Sequence, residues 1–280
     1  MNKNKIGITS NCLKVIVLLI MIIDHIGMFT FGKIEYDTYY LLRSIGRIAM
    51  PIFAYLVVQG YFYTKDLKRY VFRLFCLAVI TQVIIFIIKF LCEVIFYTRV
   101  LDICNTLNVV FSYTFSIIII LILDNRKISN NSIIDVIIKT STLITIIFAY
   151  IKLNIEYELR IPFIILGFYI IEKLFMSKEG KLLHKKEYKT YKRKILEKII
   201  YLISIFMILY ISIIPIQQTP GCKYATLGSI VLIALYNGYK GKNSKWGQYL
   251  FYIIYPLQYI ILYLATLKIW KLEKRWKNER

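Results

Sequence analysis

The sequence predicts an all-α protein: a polytopic transmembrane helical bundle of about nine spans, forming a single domain over residues 1–280. Three observations carry this. Apolar residues make up 58% of the 280 positions and mean hydropathy is +0.60, above the apolar share of a soluble domain. Apolar runs of about 20 residues, the length that crosses a hydrocarbon core, recur from one end to the other. The lysines and arginines behind the net charge of +21 gather in the loops between those runs, as the positive-inside rule and anionic headgroups favour.

The expected spans follow in order. The basic N-terminus leads into residues 12–31, with Asn11 or Ser10 as the cap. A signal peptide starts similarly, but this run is longer, holds Asp24-His25 and lacks a small-residue cleavage site, so it reads as a retained first span. Span two is residues 40–62, and Pro51 inside it predicts a kink and a freed carbonyl. A basic loop with Lys65, Lys68, Arg69 and Arg73 precedes span three, residues 70–95, whose far end pairs Lys89 with Glu93. Spans four to six are residues 109–123, 133–151 and 161–175. Residues 176–198 are crowded with Lys and Arg and read as a basic cytoplasmic connector. Spans seven to nine are residues 199–216, 224–239 and 249–270, the last flanked by Trp246 and Trp270 and followed by a basic tail.

Loop charge predicts a multi-pass protein of the cell membrane with a cytoplasmic N-terminus. Nine spans place the basic tail outside, against the rule, so eight or ten remain open. The basic residues are not interleaved with aromatics on a soluble face, which argues against nucleic acid as a partner and leaves the lipid bilayer. Five scattered cysteines without a C-x-x-C pattern argue against a disulfide framework or a metal site. Nucleotide-binding, metalloprotease and serine-hydrolase motifs are absent.

Candidate chemistry concentrates in one stretch, residues 11–64. Asp24 and His25 interrupt the apolar run of span one, and ionisable groups at membrane depth mark functional sites by default. Histidine can take and return a proton near neutrality. Asp24 lies 100° around the helix from it, so it either neutralises an arginine or orients His25 through a distortion. Arg43 and Arg47 are four apart, on one face of span two, and suit a phosphate or carboxylate. Gln59 and Tyr63 add hydrogen-bonding groups further along. The competing readings are structural polar contacts between helices for Asp24 and His25, snorkelling for the arginines, and packing for Gln59 and Tyr63. His184 reads as a solvated residue of the connector, and Glu156 with Arg160 as a weak surface pair.

The series N-x-L-K, M-I-I-D-H-I-G, R-S-I-G-R-I-A-M-P-I-F-A-Y-L and Q-G-Y-F-Y-T-K-D-L-K-R-Y-V-F-R-L resembles the TraX family. Residues 108–114, 236–241 and 251–258 extend the likeness through most of the chain. The resemblance implies a polytopic inner-membrane protein. The family's name-giving member is implicated in N-terminal acetylation of a conjugative pilin, and the family resembles membrane acyltransferases with an intramembrane histidine. It further implies Asp24-His25 as a catalytic pair, Arg43 and Arg47 as anion partners, acetyl-CoA or another acyl-CoA as donor, and a peptide, pilin or glycan as acceptor. Gln59 stands where the family usually has Glu, and Gln258 where it often has His. Neither amide exchanges a proton at neutral pH.

The expected function is therefore a membrane-embedded acyltransferase acting on a peptide amine or an envelope hydroxyl. The alternative is a transporter or immunity-type protein whose Asp, His and Arg form a polar pathway. A third reading is an assembly factor without chemistry.

Overall fold

A computed structural model describes residues 7–91, 106–124, 130–176, 195–213, 224–239 and 245–278. The described residues are helical with short connections. The helices are α1 (Ser10–Phe29), α2 (Tyr36–Gly46), α3 (Ala49–Tyr63), α4 (Leu67–Phe90), α5 (Val109–Leu123), α6 (Ser132–Lys152), α7 (Arg160–Met176), α8 (Ile195–Ile213), α9 (Ser229–Leu235, entered through a tighter turn at Thr226–Gly228) and α10 (Lys245–Asn278). A helix thus stands at each expected span. Five stretches, Ser10–Phe29, Tyr36–Tyr63, Leu67–Phe90, Ser132–Lys152 and Phe251–Lys268, are long and apolar enough to cross a membrane. Three more apolar helices among the described residues are shorter, so five of the nine expected spans are matched by a helix of full crossing length there. The connector at 177–194, with His184, lies outside the described residues, as do Glu93 and the side chains of Trp246 and Trp270.

Local chemistry moves several boundaries. Thr9, not Ser10 or Asn11, caps α1, its hydroxyl accepting from the Cys12 N–H. Span two is bent. α2 stops at Gly46 and α3 starts at Ala49, with Ile48 tightened onto the Ile45 carbonyl. Pro51 is the cause: it has no N–H for the carbonyl of Arg47, four residues earlier, and its ring crowds that carbonyl. The basic tail is not a separate segment, because α10 continues to Asn278.

α3 is the centre of the bundle. Every residue from Ala49 to Gln59 is buried, as expected for a helix that is apolar all round. It packs against α1, α5, α7 and α9. α4 and α6 instead expose apolar rows, among them Phe72, Val79, Val83, Phe86 and Phe90 on α4. Such rows are costly in water and suit acyl chains. At the head of α5, Asn108 caps Val110 N–H and bonds Gln82 Oε1 and the Ala78 carbonyl, fastening α5 to α4.

Candidate functional site

Asp24 and His25 diverge from α1 as helical geometry requires. Asp24 turns to α2, where Arg43 Nη1 lies 2.8 Å from Asp24 Oδ2 and also donates to the Asp24 backbone carbonyl at 3.3 Å. Two glycines let the helices come this close. A Cβ on Gly46 would run into the Asp24 side chain, and one on Gly27 would lie 2.9 Å from Leu42 Cβ.

His25 turns to α10. Its Nδ1–H donates to the Met21 carbonyl at 2.9 Å, which in the neutral ring leaves Nε2 to accept from the Tyr259 hydroxyl at 3.1 Å. The two rings meet edge-on, 5.0 Å between centroids. Gln258 joins this corner, its amide reaching Met21 Sδ at 3.8 Å while Oε1 has no partner among the described residues. Gln258 therefore stands near His25 in the fold.

The two arginines have different hydrogen-bond partners but both lie near Glu156. Arg43 pairs with Asp24, and Arg47 Nη1 donates to the Tyr157 hydroxyl at 2.8 Å. Gln59 and Tyr63 lie about 15–20 Å along α3 from its start, at a rise of about 1.5 Å per residue. Gln59 is buried there and Tyr63 is exposed, and neither lines the cavity described below.

Glu156 is the group that reading the sequence missed. It is not half of a surface pair with Arg160, because no ion pair forms between them. Residues 153–159 fold back over the start of α5 instead. Leu107 N–H donates to the Asn154 carbonyl at 2.7 Å and Glu156 N–H to the Leu107 carbonyl at 2.9 Å. Tyr157 and Glu158 then take φ of 62° and 46°, a left-handed region that non-glycine residues rarely enter and that clusters at functional sites. This turn carries the Glu156 carboxylate inward, where Oε2 accepts the Val109 N–H at 3.2 Å. The positive end of the α5 dipole favours a carboxylate there. Burial, reinforced by the Asp24 charge, nevertheless pushes its pKa up to about 7 against the opposing pull of Arg47 and Arg43. Glu156 thus reaches the head of α5 across 47 positions of sequence.

Three of these groups open on one narrow cavity. Asp24, His25 and Glu156 form its ionisable wall. Met21, Phe53, Tyr113, Phe251 and Tyr255 form its apolar and aromatic wall. A concave apolar pocket with a few convergent polar groups is the usual form of a small-ligand site.

Two other polar clusters lie elsewhere. Glu172 of α7 is buried and accepts hydrogen bonds from Tyr201 and, at 3.3 Å, Tyr55. Asp124, just past α5, accepts from Tyr169, from Tyr61 at 2.6 Å and from Lys173 at 2.6 Å.

Comparison with known proteins places the chain. A stretch of 70 residues is 31% identical to a probable fimbrial assembly protein FimC, serogroup H1, of Dichelobacter nodosus, covering 25% of this chain and 28% of that one. No solved structure matches. Residues 9–266 match the family model described as TraX protein, which takes in every residue that lines the cavity. With its apolar helices and a match over nearly its whole length, the chain belongs to the TraX family and is a multi-pass membrane protein.

Proposed function

We propose that this protein is a membrane-embedded acyltransferase that moves an acyl group, acetyl foremost, from acyl-CoA to the amine or hydroxyl of a peptide, pilin or glycan acceptor. The observation that supports this most is the cavity on which Asp24 and His25 of α1 and Glu156 of the 153–159 turn converge. Ionisable groups inside a bilayer are costly and persist where they handle charge or protons. The partial likeness to a protein named for fimbrial assembly favours a subunit of a surface fibre as acceptor.

The acceptor's nitrogen or oxygen lone pair attacks the thioester carbonyl carbon, and the acceptor proton passes to a base on the cavity wall. The C–S bond of the resulting tetrahedral adduct then breaks and CoA leaves as its thiolate. His25 and Glu156 are the two groups able to take that proton near neutral pH. Asp24 and Arg43 hold α1 and α2 together around the site. With the N-terminus in the cytoplasm, the basic loop at residues 65–73 faces the aqueous side where acyl-CoA phosphates are found.

The test is transfer of labelled acetyl from acetyl-CoA by the purified protein in liposomes. The expected result is labelled acceptor with one CoA thiol released per acyl group. Solute or ion flux without any acyl-CoA consumption would support the polar-pathway alternative instead.

A further inference from the structure

We propose that Glu156 is the catalytic proton acceptor of this cavity, presented by the folded-back turn of residues 153–159, and that His25 is a positioning residue for Tyr259. This rests on the acyl-transfer reading above and names the residue that performs its central step.

The geometry separates the two candidates. Both ring nitrogens of His25 are engaged, Nδ1–H by the Met21 carbonyl and Nε2 by the Tyr259 hydroxyl. For His25 to act as base, the Tyr259 bond that joins α1 to α10 must first break. Glu156 is engaged on one side only. Oε2 accepts the Val109 N–H, while Oε1 has no hydrogen-bond partner among the described residues and the carboxylate lines the cavity.

The backbone around Glu156 also fits a presenting role. Two consecutive left-handed residues follow it, and the Leu107–Ile155 bridge clamps the turn from the other side. A surface ion pair needs neither feature. Left-handed non-glycine residues of this kind cluster at functional sites, and here they follow the carboxylate that lines the cavity.

The charges facing Glu156 come from every neighbouring element. α1 contributes Asp24, which disfavours ionisation of Glu156, and Arg43 of α2 and Arg47 beside it favour ionisation. Tyr157 on the same turn and Tyr113, Tyr255 and Tyr259 from α5 and α10 also face it. The balance leaves a carboxyl that titrates at about 7 and can both take and return a proton at working pH. In the step itself, the acceptor's N–H or O–H proton moves to Glu156 Oε1 as the new C–N or C–O bond forms. The C–S bond then breaks, and the thiolate recovers a proton from protonated Glu156 or from water.

The test uses the full chain in liposomes with labelled acetyl-CoA, and an apolar peptide with a free N-terminus and an alkyl glucoside as amine and hydroxyl probes. Rates are followed from about pH 5 to about pH 9, a range that spans both candidate groups. The expected wild-type profile rises with pH through about 7. Glu156→Gln is expected to lose about 10²–10⁴-fold in rate together with that limb. Glu156→Asp should keep the limb at an intermediate rate, and His25→Gln should be slower with the limb intact. Loss of the limb in His25→Gln, or its survival in a folded Glu156→Gln, would overturn the assignment in favour of His25. Should Glu156→Gln not fold, the limb in His25→Gln and Glu156→Asp decides alone. No transfer by the wild type with either probe would overturn the acyl-transfer reading and this role with it, an outcome distinct from transfer with the limb assigned to His25.

Discussion

One guanidinium nitrogen of Arg43 bonds Asp24 twice, at 2.8 Å to the carboxylate and 3.3 Å to the backbone carbonyl of the same residue. The two side chains are only 15% and 16% exposed, so neither charge has bulk water as an alternative partner. Removing one partner of such a pair strands the other. Arg43→Met or Asp24→Leu alone is expected to cost about 3 kcal/mol, whereas the double substitution recovers most of that loss. Thermal unfolding of the four proteins in detergent gives the cycle, and additive losses would contradict the coupling.

Gly46 is the reason that pair can form. A methyl group there collides with the Asp24 side chain, and α2 has to move outward to accommodate it. Gly46→Ala is expected to cost about 1–3 kcal/mol by overpacking, where an ordinary helix glycine would gain stability from the same change. The sign of the shift in the unfolding midpoint checks this.

Tyr157→Phe removes the acceptor for Arg47 Nη1 and leaves the ring in place. A hydrogen bond to a charged group contributes about 1.5–3 kcal/mol. The variant should unfold earlier by that amount and transfer acyl groups more slowly. Because the turn that carries Tyr157 also carries Glu156, its pH limb should shift more than that of Tyr63→Phe, a change at the far end of α3 that does not line the cavity.

The stability of the fold should depend on pH through Glu156. A carboxyl whose pKa rises on folding from 4.5 to about 7 binds its proton more tightly in the folded state. Its contribution is complete below about pH 4.5, falls as pH rises through about 7, and is flat above. Glu156→Gln should flatten that decline. Asp124 behaves oppositely. Burial alone would raise its pKa, but hydrogen bonds from Lys173, Tyr169 and Tyr61 outweigh burial and lower it. Its contribution is present above its ordinary value of 3.8 and is lost as pH falls through the lower folded value. Unfolding midpoints across pH, with and without Glu156→Gln, separate the two.

Some of the site was legible from the chain alone because its signal is local. Asp24 and His25 stand out in any apolar run, and the pairing of Asp24 with an arginine follows from the cost of an unpaired charge. Pro51 announced a bend, but not that Arg43 and Arg47 would take different hydrogen-bond partners. Glu156 carried no such signal. Its neighbours in sequence are a mixed run of apolar and polar loop residues, and nothing within a few positions says that two left-handed residues turn its carboxylate under the head of α5.

The sequence by itself determined the class of this protein. Apolar length and loop charge specify a helical membrane bundle, because in a bilayer every backbone group must be satisfied within its own helix. It also determined which residues of span one would be ionisable and which proline would interrupt span two. Tertiary structure decided the rest. His25 meets Tyr259 across 234 positions, Arg47 meets Tyr157 across 110, and Glu156 meets Val109 across 47. Those meetings depend on how α1, α5 and α10 pack around α3, where each helix can rotate to bury one polar side chain against another. Asp24 and His25 therefore remain the residues that point to a site, while the carboxylate that completes its ionisable wall comes from a turn the local pattern leaves undefined.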